Sequence, residues 1–121
     1  PTAVESIVNW SFGPKTAPRV VELVAERLAE MRPSVLAGDL VACNTFDMLA
    51  QLGEITVPTL VVCGTEDKMT PMRSSQFLCS KITGAELVIV PEAGHMVMLE
   101  DAQAVAGALD GFIQAKKMFM R

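Results

Sequence analysis

The sequence predicts an α/β fold in which two parallel strands with flanking helices form an incomplete sheet. Two short runs, at 59–63 and 86–90, consist of apolar and β-branched residues without alternation. Continuous hydrophobicity is typical of strands buried on both faces, as in a parallel sheet covered by helices. A helical pattern separates the two runs and another follows the second, so the predicted order is strand, helix, strand, helix.

The part of the chain before the first strand is predicted to be mostly helical. Residues 1–14 show little pattern and end in a turn signal. Thr16 is a candidate N-cap for an amphipathic helix that stops at Arg32-Pro33. Two shorter helical stretches are expected, an interrupted one at about 34–43 and another at about 47–52.

The strands and helices of the remaining part are bounded by glycine and proline. Gly64 ends the first strand, and Thr70-Pro71 is expected to open a helix that runs to about Ile82. Pro91 closes the second strand, and the last helix is expected from about Asp101 to Lys117. Two strands alone are marginal in water, so the sheet requires a covering segment, a second copy or another subunit.

Composition and charge exclude several classes of function. The 121 residues carry a net charge of −4 with a pI near 4.9, which argues against nucleic acid and anionic membrane surfaces as partners. No apolar run approaches the roughly 20 residues that span a bilayer, and the first residues lack a signal-peptide pattern. We therefore expect a soluble protein.

The three cysteines suggest a cytoplasmic location. Cys43, Cys63 and Cys79 are odd in number, widely spaced and set among apolar residues. This pattern matches neither a metal site nor a disulfide framework, so reduced core thiols are expected. The sequence implies no metal and no cofactor.

Two loops follow the two predicted strands, and each carries a residue suited to catalysis. The acid loop (residues 64–71) contains Asp67, and the histidine loop (residues 91–96) contains His95. Because ligands and catalytic groups collect beyond the carboxyl ends of parallel strands, these two side chains are expected at one edge. A carboxylate beside an imidazole is the orienting pair of nucleophilic catalysis.

Each of these residues also has a purely structural interpretation. Asp67 suits a turn before a helix, and the adjacent Glu66 is an equal candidate for any acid role. His95 could be a loop histidine whose hydrogen bonds are satisfied locally. Glu100 is interpreted as a carboxylate in the first turn of a helix, without a chemical role. Cap or turn positions are also expected for Asp39 and Asp47.

These loops and their flanking strands resemble the α/β-hydrolase family. The matching residues are Ile55-Thr56-Val57-Pro58-Thr59-Leu60-Val61-Val62, then Gly64-x-x-Asp67-x-x-x-Pro71, then Ala93-Gly94-His95-Met96-Val97-Met98-Leu99-Glu100. The resemblance implies the last two strands of that fold, the acid and histidine loops and the closing helix. It implies Asp67 and His95 as second and third members of a triad.

The resemblance also implies a division of the chain. Residues 1–36 would be the remnant of a helical lid, and residues 37–121 the C-terminal part of the hydrolase core. Trp10 and Phe12 fall in the lid segment, where packing is the expected role and a substrate pocket the alternative.

The sequence departs from the family at the nucleophile. No Gly-x-Ser-x-Gly or Gly-x-Cys-x-Gly occurs, and the oxyanion loop that the family places upstream has no counterpart. The serines lie without the strand–turn–helix context of a nucleophile elbow; they are Ser6, Ser11, Ser34, Ser74, Ser75 and Ser80.

Three hypotheses follow for function. In the first, the chain is the C-terminal segment of a hydrolase of ester or related acyl bonds and is inactive alone. Its partner is then the N-terminal half of the fold, from the same gene or a separate chain, and its substrate is a small molecule. In the second, it is a non-catalytic truncated module that self-associates through exposed strand edges. The third is a phosphoacceptor receiver-like domain with Asp67 after a parallel strand, which the missing strands and acidic cluster disfavour.

Overall fold

The computed structural model describes residues 2–119 and confirms the α/β fold with an incomplete sheet. Three helices and a 3₁₀ helix precede the first strand, and the strand–helix–strand order follows. The elements are α1 (Ala3–Ser11), α2 (Pro18–Glu30), α3 (Pro33–Thr45), a 3₁₀ helix (Leu49–Glu54), β1 (Leu60–Gly64), α4 (Met72–Lys81), β2 (Glu86–Val90), the single turn α5 (Val97–Glu100) and α6 (Ala102–Phe119).

The sheet consists of β1 and β2 paired in parallel. Leu60 pairs with Glu86 and the register continues to Gly64 opposite Val90. Gly64 belongs to β1, whereas the sequence pattern placed it just beyond the strand. A Cβ at Gly64 would lie 2.1 Å from the carbonyl oxygen of Ala93. The first strand therefore has to end in glycine for the histidine loop to cross over it.

The buried core is small and lies on the α6 side of β2. Val90, Ala93 and Val97 form its centre, and partly buried residues of β1 and α6 pack against it. The burial of both strand faces, expected from continuous hydrophobicity, is incomplete: Ile89 in β2 is 42% exposed. Other large apolar side chains are exposed as well, among them Leu40, Val41, Phe46, Leu49, Val57, Leu109 and Ile113. Much apolar surface therefore lies uncovered in this chain.

Residues 1–14 show little pattern in the sequence, yet α1 occupies Ala3–Ser11. Its start is fixed by a capping box in which Thr2 Oγ1 accepts from the Glu5 N–H and the Glu5 carboxylate accepts from the Thr2 N–H. The Thr-x-x-Glu spacing that encodes this cap is readable in the sequence.

Several other expected boundaries need correction. The N-cap of α2 is Ala17, and the Thr16 hydroxyl donates to the Gly13 carbonyl and to Glu100 instead of capping. The helix α3 runs without interruption through the stretch where a break was expected. Cys43 on α3 is exposed, so the core position expected for all three thiols is wrong for this one.

Two broader expectations concern the division of the chain and membrane-spanning segments. The division into lid remnant 1–36 and core 37–121 stays a prediction; its boundary falls inside α3 (Pro33–Thr45). Within residues 2–119, each helix is too short or too polar to cross a membrane.

Candidate active site

The acid and histidine loops meet beyond the carboxyl ends of β1 and β2. The Thr65 N–H donates to the Val90 carbonyl, and the Glu66 N–H donates to the Ala93 carbonyl at 2.8 Å. In return, the Glu92 N–H donates to Thr65 Oγ1. These bonds continue the pairing of the strands into the loops, so the two loops hold each other in register.

Asp67 is both a turn carboxylate and the partner of His95. Its Oδ1 accepts the backbone N–H groups of Met69 and Thr70, at 2.9 and 2.8 Å. Its Oδ2 accepts from the Thr70 hydroxyl and lies 3.0 Å from His95 Nδ1. The two interpretations of Asp67 left open by the sequence are therefore compatible, because each oxygen serves one of them.

The surroundings of Asp67 keep its carboxyl group ionised. Its side chain is only 6% exposed, and this burial by itself raises the pKa. The hydrogen bonds from the Thr70 N–H, from His95 and from the Thr70 hydroxyl outweigh burial, so the net pKa lies below its ordinary value. Asp67 is therefore a carboxylate, which only accepts hydrogen bonds.

His95 is oriented by this carboxylate. Because Asp67 accepts only, Nδ1 of His95 carries the proton of their 3.0 Å hydrogen bond. The Thr70 oxygen lies 3.1 Å from the same nitrogen and shares that proton, since its own hydrogen points to Asp67. Nε2 is then the basic nitrogen of a ring that is 33% exposed. The arrangement fixes the tautomer that a general base requires.

Thr70 has a different role from the one expected. It was predicted to cap the helix that follows, but α4 begins at Met72 without a side-chain cap, and Pro71 occupies the N-cap position. The hydroxyl of Thr70 bonds the Asp67–His95 pair instead. Glu66, the alternative acid, is exposed, and within residues 2–119 its side chain makes no hydrogen bond.

The backbone around His95 is held by the last residue of α1 and by Glu100. The N–H groups of His95 and Met96 both donate to the Ser11 carbonyl, at 2.8 and 3.1 Å. Glu100 accepts from the Gly94 N–H next to His95. Neither Ser11 nor Glu100 was predicted to take part. Glu100 was visible as a carboxylate, whereas a carbonyl acceptor such as Ser11 leaves no sequence signal.

A cavity of about 650 Å³ lies beside the acid loop. Trp10, which is 56% exposed, lines it together with Leu40, Cys43, Asn44, Lys68 and Met69. Phe12 by contrast is buried, as packing requires. The alternative role considered for the aromatic residues of the lid segment is therefore open to Trp10 alone.

The serine hydroxyls of residues 2–119 are not bonded to this pair. None of the six in this range makes a hydrogen bond to the His95 ring or to the Asp67 carboxylate; the buried Ser11 hydroxyl, for example, donates to the Ile7 carbonyl. Over the same residues, the structure has no group of three or more histidine, cysteine or acidic side chains that could hold a metal ion.

Comparison with known proteins gives consistent matches. The family described as "alpha/beta hydrolase fold" matches residues 10–102. The 3-oxoadipate enol-lactonase 2 of Acinetobacter baylyi is 30% identical over 94% of this chain and 43% of its own length. The pimeloyl-(acyl-carrier protein) methyl ester esterase of Neisseria meningitidis is 34% identical over 68% of this chain and 26% of its own length.

Solved structures agree with the sequence relatives. A thermophilic esterase superposes with a TM-score of 0.84 at 36% identity, over 93% of this chain and 45% of its own. A hydrolase from Pseudomonas aeruginosa superposes with a TM-score of 0.82 at 32% identity, over 91% of this chain and 42% of its own. The chain thus spans less than half the length of the proteins it matches.

Proposed function

Because this chain belongs to the α/β-hydrolase fold family, we propose that it supplies the acid and base for hydrolysis of an ester or related acyl bond. Asp67 is the acid and His95 the base. The observation that carries the proposal is the 3.0 Å hydrogen bond between Asp67 Oδ2 and His95 Nδ1, made by a carboxylate whose pKa is lowered. The similar proteins named as a lactonase and a methyl ester esterase favour an acyl–oxygen bond as the target.

In this proposal His95 moves the protons of the reaction. Nε2 takes the proton of a nucleophile as it attacks the acyl carbon, and gives it to the leaving oxygen as the acyl–oxygen bond breaks. It then takes a proton from the water that displaces the nucleophile from the acyl carbon, and returns that proton to the nucleophile. Asp67 stabilises the imidazolium formed between these steps and keeps the ring in one orientation. Trp10 and its neighbours around the 650 Å³ cavity offer an apolar wall for the substrate.

The nucleophile comes from outside the chain, so we propose that the 121 residues alone are inactive. The partner is the N-terminal half of the hydrolase fold, encoded by the same gene or carried on a separate chain. In the structure, β1 pairs with β2 alone and its other edge is unpaired within residues 2–119. An unpaired edge and exposed apolar side chains such as Val57 and Leu109 are suited to receive such a partner.

A second candidate is a non-catalytic module that self-associates through the same edge and apolar faces. The missing elbow favours it for the chain taken alone. Native mass spectrometry separates the two candidates. A co-purifying chain with a nucleophile elbow favours the hydrolase, whereas a homo-oligomer of the 13.0 kDa chain favours the module. A folded monomer in dilute solution contradicts the need for any covering partner.

The catalytic roles are tested by substitution in the chain assembled with the segment that completes its sheet. We expect His95→Ala to lower hydrolysis of p-nitrophenyl acetate by at least about 100-fold, because a positioned general base contributes that much or more. Glu66→Gln is the matched control, since this neighbouring carboxylate is exposed and makes no hydrogen bond to His95. A loss of less than about tenfold for His95→Ala would overturn the proposed role.

A further inference from the structure

We propose that Glu100 is a positioning residue for His95, acting through hydrogen bonds to the backbone N–H groups of Gly94 and Gly13. Its carboxylate accepts three different donors. Oε1 lies 2.7 Å from the Gly13 nitrogen and also accepts from the Thr16 hydroxyl. Both oxygens lie within 3.0 Å of the Gly94 nitrogen. Glu100 therefore joins the residue before His95 to the turn at the end of α1 (residues 11–16, the α1 turn).

The α1 turn also bonds the two residues that follow Gly94. The Ser11 carbonyl accepts the N–H groups of His95 and Met96, and Ser11 is fully buried. Contact between the two segments is close enough that a Cβ on Gly94 would lie 2.5 Å from the Gly13 nitrogen. Consecutive N–H groups from Gly94 to Met96 are thus all bound, one by Glu100 and two by Ser11.

Among the described residues, one ion pair joins the α1 turn to the histidine loop, and it is weaker than the hydrogen bonds of Glu100. Lys15 contacts Glu92, but both side chains are more than half exposed. Exposed ion pairs contribute little, because water screens them and their side chains lose entropy. Glu100 is partly buried and accepts charge-assisted hydrogen bonds, which are stronger than neutral ones.

This arrangement bears on chemistry because the ring of His95 is aligned by its backbone as well as by Asp67. If the α1 turn separates from the histidine loop, the backbone of His95 loses its supports and the Nδ1–Oδ2 hydrogen bond lengthens. The inference rests on the proposed function for its meaning in catalysis. Its geometry can be measured without any hydrolytic activity.

Proton NMR of the 121-residue chain tests the inference. His95 is the only histidine, so an imidazole Nδ1–H resonance has one possible source. In Glu100→Ala we expect this resonance to broaden or disappear, and amide exchange at Gly94 and His95 to rise by about tenfold or more. Exchange at Val88, paired with β1 in the centre of the sheet, should change much less.

Asp101→Ala is the matched control. Asp101 adjoins Glu100 in the chain, but its carboxylate accepts from the Ala104 N–H and caps α6. Asp101→Ala removes a cap of α6 but no hydrogen bond to Gly94 or His95. It should therefore leave the Nδ1–H resonance and the exchange at Gly94 unchanged. A purely structural role for Glu100 would make the two variants alike.

Glu100→Gln keeps the test decisive if the alanine variant unfolds. Glutamine retains the size of the side chain but places an amide donor among N–H donors, so it should reproduce the same local effects in weaker form. Unchanged signals in both Glu100 variants, or an equal rise in exchange at Gly94 and Val88, would overturn the proposal. So would a native chain with a rapidly exchanging Gly94 amide. If these NMR effects are observed but the completed assembly is inactive, the proposed function is refuted and the positioning role of Glu100 is not.

Discussion

Replacing Gly94 with alanine should separate the histidine loop from the α1 turn. A Cβ at this position would lie 2.5 Å from the Gly13 nitrogen, 2.7 Å from the Phe12 carbonyl carbon and 2.9 Å from the Ser11 carbonyl oxygen. All three atoms belong to the backbone, so no side-chain rotation relieves the contact. Gly94 does not have a positive φ, so alanine could adopt its backbone conformation without strain and the effect is steric.

The expected cost follows from the bonds that would break. Moving the two segments apart removes the hydrogen bonds of His95 and Met96 to Ser11, and that of Gly13 to Glu100. At about 1 kcal/mol for each net hydrogen bond, the free energy of unfolding falls by about 3 kcal/mol. The range of about 1–3 kcal/mol for overpacking a tight site is consistent with this value.

Urea denaturation at fixed protein concentration measures the change. Trp10 is the only tryptophan and lies on α1, so its fluorescence reports on the segment that the substitution displaces. Gly107→Ala is the control, because a Cβ there meets no atom within 4 Å and Gly107 lies within α6. It should stabilise the chain by about 0.5–1 kcal/mol. A loss below about 1 kcal/mol for Gly94→Ala would refute the close approach.

Two further substitutions test the acid loop. Thr70→Val removes the hydroxyl that bonds both Asp67 and His95, and should lower the free energy of unfolding by about 1–2 kcal/mol. Thr70→Ser keeps the hydroxyl and should stay near the native value. Equal losses in both variants would contradict the role of the hydroxyl. Because the pKa of Asp67 is lowered in the fold, its contribution to stability is present above about pH 4 and lost as the pH falls through the folded-state pKa. The difference in unfolding free energy between the native chain and Asp67→Asn should therefore narrow below about pH 4, and a difference that stays constant down to about pH 2 would contradict the lowered pKa.

The strands and the loop positions were predictable because their signals are local. Continuous apolar runs marked both strands, and Gly64 and Pro91 marked their ends. Parallel pairing then brings Asp67 and His95 to the same edge, and the structure places them in contact. Strand ends and parallel pairing together determine which loops meet.

The supports of the pair were not predictable to the same degree. The Ser11 carbonyl bonds His95 across 84 positions of chain, and every residue has such a carbonyl, so the sequence carries no mark of it. Thr70 has the residue type and position of a helix cap, and tertiary contact redirects its hydroxyl. The helix α1 is a different case, because the Thr2-x-x-Glu5 spacing that encodes its capping box is a local signal in the sequence.

The hydrogen bonds that align His95 are all internal to this chain, which has a consequence for assembly. Asp67, Thr70 and Ser11 already fix the imidazole before any other segment arrives. A completing segment would meet a preorganised ring, so the entropy of ordering that ring would not weaken the association. Under the proposed function, variants of this chain that loosen the pair should therefore bind the partner less tightly as well as react more slowly.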